Sequence, residues 1–230
     1  MEQPPVEAKL PDWIFASVFE IEEDPSLDQR LNDEEIQFFK NELILCKEKA
    51  FELCQLTTNQ SRSNLWLVER RKRLTATKCH KIVHAKSKKK RLDYLLQTKS
   101  LEGLPQLKYG IDNEDIAREV YEKGTGNKVE KLGLVVKTSK PYLAASPDGV
   151  FLKDGELYLL EIKCPFTKKE ATDLHDHECL SEEGYLKKNH QYYTQIQMQM
   201  FVCNAKKCHF FLYAPKANHL VEVQFDEKFC

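Results

Sequence analysis

The chain has no apolar run approaching the ~20 residues that a membrane-spanning helix needs. Its first residues, Met1-Glu2-Gln3-Pro4-Pro5, carry neither the basic start nor the apolar stretch of a secretory signal. Those absences set an intracellular protein, with no membrane partner, as the expectation; nothing separates nucleus from cytoplasm. No CxxC pair occurs among the eight cysteines, Cys46, Cys54, Cys79, Cys164, Cys179, Cys203, Cys208 and Cys230. The paired spacing of a structural zinc site is therefore missing, as are the four grouped cysteines of an iron–sulfur cluster. Scattered thiols fit a reducing compartment. Internal repeats are absent too.

Net charge is almost absent, −1 over 230 residues, but the balance hides two opposed regions. Residues 1–42 hold twelve acids against Lys9, Arg30 and Lys40, whereas residues 70–91 hold eleven Lys or Arg and no acid. A basic block is what binding to phosphate needs electrostatically; it is also what a solvated helix face or a localisation signal looks like. Hydrophobic residues at 41% and charged residues at 31% are ordinary for a globular chain and exclude wholesale disorder.

Pro4, Pro5, Pro11 and Pro25 punctuate an irregular acidic leader. Within it, Trp13, Ile14, Phe15, Val18 and Phe19 are apolar enough to dock on the remainder of the protein. Asn32 is placed as an N-cap, with Glu34 and Glu35 in the first turn of a helix that runs to about Leu56. Further helices are expected over Asn64–Arg71, from Thr77 to about His84, over 92–99 and over Asp112–Lys123, the last closed by Gly124-Thr125-Gly126. Lys86–Arg91 reads as a charged turn. Strands are expected at Val129–Val136, Tyr142–Ser146, Val150–Leu152, Leu157–Cys164, His209–Ala214 and Leu220–Phe225, with a helix over His190–Cys203. The organisation predicted is an acidic leader and helical appendage, residues 1–60, and a catalytic domain, residues 61–230. The fold class is α/β, of the α+β kind: a central mixed sheet flanked by helices.

The chemistry concentrates in Ser146-Pro147-Asp148-Gly149 and Glu161-Ile162-Lys163. Side chains alternate faces along a strand. Leu157, Leu159, Glu161 and Lys163 therefore share one face, and Tyr158, Leu160, Ile162 and Cys164 the other. The second face is apolar throughout; the first ends with a carboxylate beside an ammonium. Charges at such a place are costly unless they pair or bind a metal. Asp148-Gly149 reads as a hairpin turn. Alone, that tetrapeptide is a hairpin tip and Glu-x-Lys a surface ion pair. Together, thirteen residues apart, an Asp followed by Glu-x-Lys is the pattern of PD-(D/E)XK nucleases. Two carboxylates suit a hard divalent cation, and a lysine suits the charge that develops at phosphorus.

Five segments in order carry a closer resemblance. They are Trp66, Arg70 and Leu74-Thr75-Ala76-Thr77; Tyr109-Gly110 with Glu114, Ala117 and Tyr121; Leu143-Ala144-Ala145-Ser146-Pro147-Asp148-Gly149; Glu161-Ile162-Lys163-Cys164-Pro165-Phe166; and Tyr192-Tyr193-Thr194-Gln195-Ile196-Gln197-Met198-Gln199-Met200. Over about residues 64–225 the chain resembles the YqaJ and lambda-exonuclease family of PD-(D/E)XK nucleases. The resemblance implies a restriction-endonuclease-like core and Mg²⁺, with Mn²⁺ as a substitute, held by Asp148, Glu161, the backbone carbonyl of Ile162 and Glu114. It implies Lys163 as the catalytic lysine and Gln195 as the residue that orients water or contacts the scissile phosphate. It implies Arg70, Thr77 and Ser146 as contacts to a DNA 5′-phosphate, with Arg71 and Arg73 as competitors for the role of Arg70. Arg73, Lys78 and Lys81 are expected along the DNA backbone. The family has serine where this chain has Thr77, which keeps the hydroxyl.

The activity implied is 5′-to-3′ digestion of duplex DNA bearing 5′-phosphate ends; a ring-forming homotrimer is compatible with the resemblance. The rivals are a structure-selective or end-independent endonuclease, which shares the same core, and a catalytically silent DNA-binding module, which retention of every acid and the lysine disfavours. Outside the motifs, His175 and His177 form a His-x-His pair of metal-binding type that is more often a pair of loop histidines. His80 and His84 stand one helical turn apart in the basic block.

Overall fold

The computed structural model describes residues 9–19, 31–87, 89–90 and 104–229. The helix expected at 92–99, Lys88 and Arg91 of the charged turn, and most of the acidic leader lie outside the described residues. The chain divides into two units: Met1–Thr75 with Lys131–Ser146 and Val202–Asn204, and Ala76–Glu130 with Pro147–Phe201 and Ala205–Cys230.

The first unit holds α1 (Asp12–Val18), α2 (Asp33–Phe38), α3 (Lys47–Leu56), α4 (Asn64–Arg71) and a short mixed sheet. In that sheet β3 (Leu143–Ala145) lies between β1 (Leu74–Thr75), parallel to it, and β2 (Val135–Val136), antiparallel. Ile14, Val18 and Phe19 of the leader are buried, and Phe15 and Phe19 both meet the ring of Phe51 edge-on. Asn32 caps α2 through a reciprocal box with Glu35, which satisfies two backbone donors at once.

The single helix expected from Asn32 to Leu56 does not form. After α2 the backbone widens into a π turn, Phe39–Leu43, and breaks at Ile44, whose N–H reaches the Phe39 carbonyl five residues back. The wider turn brings both Phe39 and Leu43 inside. It strands carbonyls at its end, and the guanidinium of Arg73 takes two of them, Leu43 O at 3.2 Å and Glu42 O at 3.5 Å. A cation at a helical C-terminus is favourable for both charge and hydrogen bonding.

α4 begins at a Ser63 N-cap and spans the residues expected. The strand expected over Val129–Val136 is interrupted because Gly133 presses on the end of α3. A Cβ there would lie 2.1 Å from the Cys54 carbonyl oxygen. The Thr57 hydroxyl stitches the contact, donating to Leu53 O at 2.6 Å and accepting from Leu134 N at 2.8 Å.

The second unit holds α5 (Ala76–Val83), α6 (Pro105–Thr125), α7 (Gln191–Val202) and a four-stranded mixed sheet. Its order is β4 (Gly149–Lys153), β5 (Glu156–Lys163), β6 (Lys207–Ala214), β7 (Ala217–Gln224), with β5 and β6 parallel and the other pairs antiparallel. α6 starts earlier than expected, at Pro105, and runs straight through Gly110 and Gly124. It stops at Gly126, whose φ of +74° is the left-handed cap. Ala117 and Tyr121 of α6 pack on Tyr158, Leu160 and Ile162 of β5 with Phe151, Phe211 and Tyr213. The apolar face of β5 is thus the one that alternation predicts. α7 lies over the opposite face, where Tyr192 meets Phe210, the residue paired with Glu161. No helix among the described residues is long and apolar enough to cross a membrane.

Candidate active site

The β4–β5 ladder ends at Gly149↔Leu160, so β5 runs on past its partner by the three residues Glu161, Ile162 and Lys163. Asp148 fills the gap: its Oδ2 accepts the Ile162 N–H at 2.7 Å. The N–H and C=O of one strand residue leave the same edge, so the Ile162 carbonyl also faces the Asp148 side. The role of Asp148-Gly149 differs from the hairpin turn expected. Asp148 tips no hairpin, because β3 and β4 belong to separate sheets. The hairpin that joins β4 to β5 turns instead at Asp154-Gly155, with φ of +53° and +79°, the signature of a two-residue type I′ turn. Gly149 is required for closeness: a Cβ would sit 2.2 Å from Val129 Cγ1.

Glu161 is 1% exposed. Burying a lone carboxylate costs several kcal/mol. Here three donors surround it: Lys163 Nζ and Gln195 Nε2, the latter at 2.6 Å, on Oε1, and Gln199 Nε2 at 2.7 Å on Oε2. Hydrogen bonds to a charged group contribute about 1.5–3 kcal/mol each, enough together to offset the penalty. The Lys163 ammonium loses solvation, which lowers its pKa, but the carboxylates of Glu161 and Asp148 outweigh that and raise it. Lys163 is therefore a fixed positive charge.

Asp148 lacks such compensation. Loss of solvation, then the negative charges of Glu161 and Glu114, push it well above the usual carboxylate range, against the pull of Lys163 and the Ile162 N–H. Excess negative charge on oxygen at one point is what a hard divalent cation neutralises, so the donor set fits such an ion. Asp148, Glu161 and the Ile162 carbonyl are the groups placed to hold it. Glu114 is engaged elsewhere: its Oε1 pairs with Arg118 Nη2 at 2.8 Å. Among the described residues no three His, Cys, Asp or Glu side chains form a metal-holding group. The third acid acts on Asp148 through its charge.

Arg118, which belongs to none of the motifs, is 5% exposed and binds Glu114, Asp115 and, at 3.1 and 3.3 Å, the Asp148 carbonyl. Its signal was present: it stands four residues after Glu114, the spacing of a helical ion pair. Gln199 was missed likewise, although it lies one turn from Gln195.

In the first unit, Arg70 lies over the Trp66 ring, 4.0 Å from guanidinium carbon to centroid, and its Nη2 reaches the Thr75 hydroxyl at 3.5 Å. The Trp66 indole N–H donates to Ser146 Oγ at 2.9 Å. Burial lowers Arg70 to about 10, which leaves it charged at neutral pH. Ser146 is thereby placed with Arg70 by way of Trp66. Arg73 is corrected: expected along DNA, it is 2% exposed and bound to Glu69, Pro141 O and the π-turn carbonyls. Lys72 pairs with Glu42 and Glu69. Part of the basic block is therefore structural. In the second unit Thr77, Lys78 and Lys81 lie on α5, with Thr77 and Lys81 exposed.

Seven of the cysteines are free thiols. His175 and His177 take separate partners, His219 and Cys179. The His80 ring meets His84 and Thr194.

A family model, the YqaJ-like viral recombinase domain, matches residues 65–206. The chain belongs to that family. The YqaJ-like span contains Arg70, Thr77, Glu114, Arg118, Ser146, Asp148, Glu161, Lys163, Gln195 and Gln199. An uncharacterized protein, R354, of Acanthamoeba polyphaga mimivirus is 28% identical over 166 residues, 66% of this chain but 28% of that protein. The chain thus spans under a third of the length of the curated relative it matches. Among solved structures, LHK-Exo, an alkaline exonuclease from Laribacter hongkongensis solved with dAMP, is similar at 24% identity and TM-score 0.59. That likeness covers 73% of this chain and 85% of LHK-Exo. SOX, the shutoff and exonuclease protein of Kaposi's sarcoma-associated herpesvirus, solved with DNA, is similar at 11% identity and TM-score 0.50. It covers 79% of this chain and 67% of SOX. These likenesses show the fold of the YqaJ-like chain: mixed sheets with helices.

Proposed function

We propose that the protein is a divalent-metal-dependent deoxyribonuclease that digests duplex DNA from 5′-phosphate ends in the 5′-to-3′ direction. The observation that carries this reading is the convergence of Asp148, Glu161, Lys163 and Gln195 at the overhanging end of β5. Mg²⁺, or Mn²⁺ in its place, supplies Lewis-acid activation of water and neutralises charge on the phosphate. Asp148, Glu161 and the Ile162 carbonyl would hold the ion. Lys163 carries a permanent positive charge toward the developing negative charge on phosphate oxygen. Gln195 keeps Glu161 oriented through its amide nitrogen, and its amide oxygen, an acceptor, suits a hydrogen bond from water.

The direction of digestion rests on the Trp66–Arg70–Ser146 cluster. A charged, half-dry arginine beside two hydroxyls is a good partner for a terminal phosphate. Lys78 and Lys81 on α5 follow the DNA backbone, and Thr77 keeps its expected role as a 5′-phosphate contact. The fold shared with exonucleases and the DNA complex of SOX are consistent with the substrate.

The test uses linear duplex DNA labelled at one 3′ end, with 5′-phosphate or 5′-hydroxyl termini, beside a closed circle, with Mg²⁺ and a Lys163→Ala control. Expected are progressive digestion, preference for the 5′-phosphate, an intact circle, and a loss of about 10²–10³-fold in Lys163→Ala with an unchanged circular dichroism spectrum. Cutting of the circle would make the protein an endonuclease; no cutting with any divalent metal would make it a binding module.

A further inference from the structure

We infer that Gln199 is a second positioning residue of this site, holding Glu161 in the orientation that receives the divalent cation; the inference rests on the nuclease reading above. Four glutamines stand on α7, Gln191, Gln195, Gln197 and Gln199. Gln195 and Gln199, one turn apart, face Glu161, whereas Gln197 faces away and binds Gln224 O at 2.8 Å and Asp226 N at 2.8 Å.

The two inward amides divide the work. Oε1 of Glu161 receives Gln195 and Lys163; Oε2 receives Gln199 among the donors described. Without the Gln199 N–H, Oε2 loses that donor and the carboxylate is free to swing about its Oε1 contacts. An ionised carboxylate offers about four lone-pair sites. With three taken by fixed donors, the orientation of the remainder is set before any cation arrives.

The second observation is the state of the amide itself. Gln199 is 1% exposed, and its Oε1 is a buried acceptor without a hydrogen-bond partner. Buried polar atoms in native proteins are rarely left so. A leucine or methionine would fill the position without that penalty. The amide is retained against its own cost, and what it supplies in return is the bond to Glu161. Partners that orient a metal-binding group, though they do not touch the metal, typically change metal affinity by about 10–100-fold when removed.

The experiment is calorimetric titration of Mg²⁺, and separately Mn²⁺, into the wild-type protein, Gln199→Met and Gln199→Asn, without DNA. Melting temperatures are measured in chelator. Methionine keeps the length and lacks the N–H; asparagine keeps the amide and lacks the reach. Expected are a cation Kd weakened about 10–100-fold in both variants and a melting temperature in chelator lowered by several degrees, as buried Glu161 loses a donor, with a single cooperative transition retained. In the nuclease assay the metal concentration for half-maximal rate rises while the KM for DNA stays. Unchanged cation affinity in whichever variant folds would overturn the role of Gln199 and leave the nuclease reading standing. A wild-type protein that binds neither cation would overturn that reading and this inference with it.

Discussion

The chain contains two Asp-Gly dipeptides six residues apart, Asp148-Gly149 and Asp154-Gly155, at the two ends of β4. Locally they are the same signal, a turn-forming acid followed by the residue that tolerates left-handed backbone. They do different work. Asp154-Gly155 is a turn and nothing more: both residues have positive φ, and Gly155 has open space around it. Asp148-Gly149 has no positive φ, and Gly149 is pressed against Val129. There the aspartate points its carboxylate at the end of β5 that β4 leaves uncovered. The difference lies in what the neighbouring strand does: beside Lys153↔Glu156 the ladder is closed, beside Gly149↔Leu160 it has run out. A backbone N–H left over at a strand end is where a side chain can be fixed for chemistry.

Substituting the two aspartates would break the equivalence most sharply. Asp148→Asn is expected to lower cleavage by at least about 10³-fold, since several kcal/mol of charge stabilisation are withdrawn and each 1.36 kcal/mol is tenfold. The same substitution is expected to raise the melting temperature in chelator at neutral pH. The folded-state pKa of Asp148 lies above its unfolded value. The favourable contribution of that group is then complete below the unfolded carboxylate range and is lost as pH rises through the raised pKa. Without metal, ionising this group opposes folding as pH rises toward neutral, and asparagine removes that opposition. Melting curves across acid to neutral pH, in chelator, check the sign: wild type should lose stability relative to Asp148→Asn as pH rises. A lower melting temperature for the variant at neutral pH would mean that Asp148 is compensated by groups other than those described.

Gly149→Ala comes next. The added methyl meets Val129 Cγ1 at 2.2 Å, and valine has little freedom at χ1 to retreat. Overpacking of this kind costs about 1–3 kcal/mol. Because Asp148 is the preceding residue, turnover should fall with stability. Thermal denaturation and the 3′-label assay on the same preparation would show both losses; loss of stability with full activity would separate the packing of Gly149 from the placement of Asp148.

Much of this was legible in the sequence, and the parts that were not share a cause. The faces of β5 follow from alternation alone, and α4 spans the residues expected, Asn64–Arg71. The break after α2 did not, because what stabilises it is Arg73, thirty residues further on, which takes the carbonyls a continuous helix would have kept. Arg73 was assigned to DNA for the same reason: a basic residue in a basic block carries no local mark of the acceptors that bury it. Gln195 was picked out and Gln199 was not, although helical spacing places both on one face; which face meets Glu161 is set by the sheet. Local pattern fixes elements and faces, while polar groups that complete another element's backbone or carboxylate show only in three dimensions.

Gly155→Ala carries the smallest effect and is the control for the others. With φ at +79° the alanine methyl is strained by about 1 kcal/mol, the usual cost of left-handed backbone for an L residue. No atom lies within 4 Å to add a clash. The turn is at the far end of β4 from Asp148, five strand residues away. The melting temperature should therefore drop by a few degrees, about 2–4 °C for a chain of this size, with kcat and the metal dependence of cleavage unmoved. The contrast with Gly149→Ala is what matters: two identical substitutions after two aspartates, one costing stability alone and the other costing stability and turnover. If Gly155→Ala reduced turnover at constant fold, the register of β4 on β5 would be set from the hairpin. The position of Asp148 would then depend on the turn as much as on the contact with Val129.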